Sequence, residues 1–352
     1  MNRQLEPQLF LRVVFFVITA CIVLPLFAGD NGAQVSSATN AAPSVAAATP
    51  MAPVVLPGMG LAQHDFFYSG EYTKQWMFIV KKGKIVWSYI DNNTKGEISD
   101  AVLLSNGNIL FAHQFGITLI TPDKKVLWHY DAPPGTETHI ARPIGTEHVL
   151  FIQNGDPAFV RVVNIKTGQT RLQFNLPVGN PQSVHPQFRD AQVTEAGTLL
   201  VGHMDNKKVA EYDASGKEVW SYAIDSPWSV QRLKNGNTLI ATNKQVVREV
   251  DRDGNTVWEL TPQDLPDYKI LTTQVATRLP NGNTLISNWL NSWHMTLDPS
   301  NPPVQAIEVT PEKKVVWALR SWTDPTNLGP GTRIQLLDVP FAPENVTFGG
   351  IR

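Results

Sequence analysis

Between about residues 60 and 340 the hydrophobic residues fall in short runs separated by turn-forming residues, and two phrases recur. The first is a polar turn leading into apolar residues and a tryptophan: Lys82-Gly83-Lys84-Ile85-Val86-Trp87, Asp123-Lys124-Lys125-Val126-Leu127-Trp128, Ser215-Gly216-Lys217-Glu218-Val219-Trp220, Asp253-Gly254-Asn255-Thr256-Val257-Trp258 and Glu312-Lys313-Lys314-Val315-Val316-Trp317. A degenerate copy, Thr167–Leu172, fills the gap after Trp128, giving six copies at steps of 41, 44, 48, 38 and 59 residues. The second phrase is strand, Asn-Gly, strand, at Leu104–Leu110, Leu233–Ile240 and Leu279–Ile286, with weaker versions at Ile144–Phe151 and Thr194–Val201. Asn-Gly between apolar runs signals a hairpin whose two central residues both take positive φ. Each unit therefore predicts four short strands: one on each side of the Asn-Gly turn, one such as Val246–Val250, and the tryptophan strand.

Four-stranded units at this spacing predict propeller blades. The ends of the pattern predict closure. Thr332–Val339 reads as a first strand with nothing after it, while Asp65–Tyr68, Trp76–Val80 and Ile85–Tyr89 read as second to fourth strands with no first. Joining them completes a blade and removes an exposed sheet edge. The expected fold is all-β: a six-bladed propeller within residues 58–352, closed by a C-terminal strand that completes the N-terminal blade. A tryptophan at the same place in five outer strands is expected to pack on the neighbouring blade.

Gly216-Lys217-Glu218-Val219-Trp220 and Pro280-Asn281-Gly282-Asn283-Thr284-Leu285-Ile286 resemble the repeats of the quinoprotein-like (PQQ-like) β-propellers, particularly their six-bladed arylsulfotransferase-like branch. That resemblance implies a functional site in a central funnel, and for the sulfotransferases a nucleophilic histidine with further histidines and an arginine. Quinone-binding members have eight blades and an adjacent cysteine pair. This chain has one cysteine, Cys21, so no cofactor is expected.

Function is accordingly sought on the first strand of each blade and the loops entering it. Counting six residues back from each turn asparagine or its equivalent gives Asp100, Ile140, Asp190, Ser229 and Val275; two residues later come Val102, Arg142, Gln192, Gln231 and Thr277. Side chains two apart share a face of a strand. The polar members are expected to face the channel with Arg333 and Gln335, and Asp100, Arg142, Asp190, Gln192, Gln231 and Arg333 are candidate ligand-binding residues. His113 and His203 end second strands, and His139, His185 and Gln274 lie where loops approach first strands. His113, His139, His185 and His203 are the candidate catalytic residues, as nucleophile or general base, with arginine clamping an anionic group. The same residues also suit a merely polar channel lining. Trp228, Trp289 and Trp293 fall outside the repeat, and the long loop from Trp289 to Pro303 marks Trp228 and Trp289 as further ligand-binding candidates. No metal site is expected.

Composition narrows the picture. Twenty-four glycines and 26 prolines suit many turns and exclude long-helix architectures, and 42% hydrophobic residues suit a folded core. A net charge of −2 excludes an overall basic field for nucleic acid. Residues 1–28, with Arg3 and Arg12 before an apolar run, read as a cleaved export signal; an uncleaved membrane anchor and a lipoprotein acylated at Cys21 are the alternatives. Residues 29–57, rich in Ala, Ser and Pro, read as a disordered linker. The expectation is a periplasmic or extracellular propeller, with an optional N-terminal membrane tether. It would bind a small polar or anionic ligand or a cell-surface protein. The alternative is an arylsulfotransferase-like group-transfer enzyme.

Overall fold

The computed structural model describes residues 53–71, 74–91, 96–291, 294–340 and 342–352. The export segment, Cys21, most of the linker and Trp293 lie outside the described residues. Among those described, 24 strands form six antiparallel four-stranded sheets. Blade 1 takes β1 (Phe66–Glu71), β2 (Gln75–Lys81) and β3 (Lys84–Asp91). Blade 2 is β4 (Asp100–Leu103), β5 (Ile109–Ala112), β6 (Gly116–Ile120) and β7 (Val126–Asp131); blade 3 is β8 (Glu137–Ile144), β9 (His148–Asn154), β10 (Ala158–Asn164) and β11 (Thr170–Leu176). Blade 4 is β12 (Phe188–Val193), β13 (Leu199–His203), β14 (Lys208–Tyr212) and β15 (Glu218–Ala223). Blade 5 is β16 (Pro227–Arg232), β17 (Thr238–Thr242), β18 (Val247–Val250) and β19 (Thr256–Leu260); blade 6 is β20 (Thr273–Arg278), β21 (Thr284–Asn288), β22 (Ala306–Val309) and β23 (Val315–Leu319). The last strand, β24 (Gly331–Leu336), returns as the innermost strand of blade 1, with Leu336 opposite Phe66 and Arg333 opposite Ser69. Innermost strands adjoin in the order β4, β8, β12, β16, β20, β24 and back to β4, so the sheets stand in a ring.

The core is divided among the blade interfaces. Six clusters of buried apolar side chains lie one at each interface, including the closing one, where Phe66, Tyr68 and Ile334 of blade 1 meet Leu285 and Trp317 of blade 6. Each cluster takes one member of the repeated tryptophan column: Trp87, Trp128, Trp220, Trp258 and Trp317 in five, and Leu172 of the degenerate copy in the sixth. The indole N–H groups tie the blades as well. Those of Trp87, Trp220 and Trp258 donate to carbonyls of Pro122, Arg252 and Pro311 in the next blade, and that of Trp317 donates to Gly60.

The Asn-Gly hairpins depart from expectation in their turn type. Gly107, Gly236 and Gly282 have positive φ, but Asn106, Asn235 and Asn281 do not. Each turn closes with the glycine amide donating to the residue three earlier, and the asparagine Oδ1 accepts the amide two residues on, at 3.0 Å in all three. The asparagine side chain supplies the turn's second tie, so only glycine enters the left-handed region.

Salt bridges reinforce three interfaces at one register. Glu211 and Glu249 in third strands pair with Arg232 and Arg278 of the following blade at 2.7 and 2.8 Å, and each guanidinium lies over the preceding blade's tryptophan. At the closing interface the equivalent Glu308 meets His64 at 2.9 Å, and the other ring nitrogen of His64 lies 2.8 Å from Asp338.

Candidate functional site

Because strands alternate in direction, the links from an outer strand into the next inner strand open on the same face of the ring as the links between second and third strands. The Asn-Gly turns open on the other face. At the start of five inner strands the pairing register slips, at His139 in β8, Arg189–Asp190 in β12, Trp228 in β16, Gln274–Val275 in β20, and Thr332 in β24. A bulge re-aims a side chain that regular alternation would turn elsewhere.

Three of these irregular positions build one cluster at the mouth. His139 is fully buried, and its Nε2–H donates to Glu137 at 2.7 Å, because a carboxylate can only accept. The same Glu137 oxygen takes His185 Nδ1–H at 2.8 Å, which leaves His185 Nε2 as the lone-pair nitrogen of the neutral ring. Arg189 Nη1 sits 3.1 Å from His139 Nδ1 and 3.2 Å from His185 Nε2, while its Nη2 donates to Glu97 at 2.5 Å. Ser99 Oγ lies 2.8 Å from Glu97 and 2.7 Å from His139 Nδ1. The Arg189 guanidinium lies over the Trp228 ring at 4.8 Å, and Trp228 leans on Trp289 with ring centres 5.7 Å apart. Burial alone would raise the Glu97 carboxyl; the Arg189 charge and the two imidazoles outweigh it and hold it well below the usual carboxylate range. Burial acts likewise on Glu137, and hydrogen bonds from His139 and His185 bring it far below its ordinary value.

Of these groups, Glu97, His185, Arg189, Trp228 and Trp289 border a cavity of about 500 Å³ lined also by Gln114, Met204, Asn243 and Asn291. Three buried polar atoms of its lining residues have no partner among the described residues: Arg189 Nε, Trp289 Nε1 and Asn291 Oδ1. Glu97, His139 and His185 bring three potential metal-ligating atoms within 4.8 Å of one another. The Arg189 guanidinium fills that position, so the cluster already contains its cation.

One layer deeper, the charged candidates neutralise each other. Arg142 pairs with both Asp100 and Asp190, and Arg333 pairs with the same two acids at 2.8 and 2.7 Å. Asp100 and Asp190 also accept the Ala141 and Val230 amides of the following blades. Gln192 and Gln231 accept the Arg232 and Arg278 amides in the same way, and Gln335 bonds both backbone groups of Leu103. The columns that alternation aims at the channel thus lace inner strands together.

A family model described as outer membrane protein assembly factor BamB matches residues 160–288. No curated protein matches. Among solved structures, a protein of unknown function from Bacteroides caccae is 25% identical, covering 77% of this chain and 97% of its own at a TM-score of 0.67. A catalytically inactive virginiamycin B lyase from Staphylococcus aureus with quinupristin is 15% identical, covering 75% and 88% at a TM-score of 0.51; it shares the fold. The chain is a six-bladed β-propeller, and its similarity to that family model is confined to residues 160–288.

Of the propeller's four candidate histidines, the mouth brings together His139 and His185. His203 lies fully buried beside Phe188, with Nε2 2.9 Å from the Tyr212 hydroxyl, and burial with nearby Lys208 lowers its pKa to about 3. His113 lines a separate cavity between blades 1 and 2. Trp228 and Trp289 join the mouth, and Gln274 is buried at the start of β20. Arg189, Glu137 and Ser99 were not among the sequence candidates. The signal was one residue away: Ser99, His139, Arg189, Trp228 and Gln274 each precede a member of the column that begins with Asp100.

Proposed function

We propose that the propeller is a binding module whose mouth cavity takes a small polar ligand bearing an acidic group. The observation that carries this reading is the set of buried, unpartnered atoms around the cavity. An unsatisfied buried polar group costs about 1–3 kcal/mol, which an incoming ligand recovers. Arg189 Nε–H and Trp289 Nε1–H are donors suited to a carboxylate, sulfate or phosphate oxygen, and Asn291 Oδ1 accepts from a hydroxyl or amide on the same ligand. A concave cavity with two tryptophan walls favours a small molecule over a protein surface. Because Trp228 and Trp289 form the wall, tryptophan fluorescence reads occupancy directly. Titration with a panel of small carboxylates, sulfates and phosphates should give saturable quenching for at least one class, weakened about tenfold in Trp289→Phe, the loss of roughly one charge-assisted hydrogen bond. Saturable binding unchanged in both Trp289→Phe and Arg189→Lys would overturn the assignment.

A second reading, group transfer through a histidine, is favoured by His185. Its Nδ1–H is held by Glu137, and its ring lines the cavity with Nε2 accepting from Arg189 Nη1 at 3.2 Å, a bond a substrate sulfate on Arg189 would free. Turnover of an aryl sulfate with a phenol acceptor, abolished in His185→Ala, would support it; no turnover by the wild type would remove it.

A further inference from the structure

A second histidine pair lies in the cleft between blades 1 and 2, away from the mouth cluster. His113, directly after β5, and His129 on β7 stack with ring centres 5.6 Å apart and planes 9° from parallel. Both point a ring nitrogen at one oxygen: His113 Nε2 lies 3.1 Å and His129 Nδ1 2.8 Å from Thr118 Oγ1. The other nitrogen of His129 donates to Asp131 at 2.9 Å, which fixes the tautomer and leaves Nδ1 to accept the Thr118 hydroxyl proton; His113 Nε2–H then donates to the same oxygen, and its proton moves to Nδ1 when a metal takes Nε2. Asp91 lines the same cavity of about 270 Å³, and among the described residues no lysine or arginine does.

We propose that this cleft is a divalent transition-metal site, with His113 Nε2 and His129 Nδ1 as ligands, the Thr118 hydroxyl at a third position and the cavity supplying room for water. Donor atoms about 2.1 Å from a metal stand about 3.0 Å apart in octahedral and about 3.4 Å in tetrahedral geometry. The two N···O separations, 3.1 and 2.8 Å, lie on either side of the octahedral spacing. Two imidazoles with a carboxylate behind one of them is the arrangement that raises ligand basicity and fixes ring orientation at histidine metal sites. The donor set suits zinc, copper(II) or nickel and not magnesium or calcium, which prefer oxygen ligands. The mouth cluster, with Arg189 in place, is the internal contrast.

The test is calorimetric titration of the untagged full chain with ZnCl2 at neutral pH, with circular dichroism confirming that each variant is folded. One site of micromolar affinity is expected, with copper(II) tighter than zinc. His129→Ala and His113→Ala should each abolish it. Asp131→Asn, which keeps both ligands, should weaken it about tenfold. His185→Ala should leave it unchanged. Absence of saturable binding into the millimolar range overturns the proposal, and so does zinc binding lost in His185→Ala but retained in His129→Ala.

Discussion

The propeller holds two histidine pairs of similar spacing, and the difference between them is a guanidinium. At the mouth, rings 5.0 Å apart share Glu137, and Arg189 sits against both, anchored by Glu97 and stacked on Trp228. In the cleft between blades 1 and 2, rings 5.6 Å apart converge on a neutral hydroxyl with Asp131 behind. Imidazole pairs do not fix a role by themselves. A pair with a cation already in place has no vacancy for a second one, whereas the cleft pair, with no lysine or arginine among the described residues lining its cavity, is the one proposed to take a metal.

The change expected to disturb this contrast most is Arg189→Ala. Removing a buried cation leaves Glu97 without its guanidinium partner and should cost about 3–5 kcal/mol in denaturant unfolding. It should also convert the mouth to the other type, so that zinc titration gains a second site through Glu97, His139 and His185. Full stability with unchanged metal stoichiometry would break the comparison.

Glu137→Gln should act next. Glu97 and Glu137 have folded-state carboxyls below their ordinary 4.5. Their stabilisation is fully present above that value and lost as pH falls through the lowered folded values, because the unfolded chain then binds more protons. Acid unfolding followed by circular dichroism should show this decline in the wild type and a shallower one in Glu137→Gln.

His129→Ala should remove cleft metal binding while changing stability by less than about 1 kcal/mol, since the side chain is partly exposed. The smallest effect belongs to the closing interface, whose cation is a histidine. Burial lowers the His64 pKa, but its hydrogen bonds to Glu308 and Asp338 outweigh burial and raise it above 6.5. Its contribution is complete below 6.5 and lost as pH rises through the raised folded value, opposite in sign to the mouth carboxylates. His64→Gln should flatten stability on the alkaline side only, as thermal melts across pH would show.

The blades and their closure were legible in the sequence because both are periodic. Trp87, Trp128, Trp220, Trp258 and Trp317 recur at a fixed place in outer strands, and the unpaired strand near Ile334 answers the missing one before Phe66. The site was legible only in part, for a local reason. Alternation along a strand aims Asp100 and Asp190 at the axis, and they are there, but they are consumed in ion pairs and backbone ties. The mouth is built where alternation fails, at the bulges that turn His139, Arg189 and Trp228 inward. His139 and Trp228 were noticed because their residue types stand out; Arg189, beside a column member, did not. The asparagine turns teach the same point, since Asn235 solves with its side chain what the dipeptide pattern assigns to its backbone.

The most direct test is a crystal structure of the propeller soaked with ZnCl2 and the tightest-binding acid of the panel, using zinc anomalous scattering. The account predicts an anomalous peak between His113 and His129, and the acid at the mouth within hydrogen-bond distance of Arg189 and Trp289. Zinc between His139 and His185 with Arg189 displaced, or an acid bound away from the mouth, would contradict it.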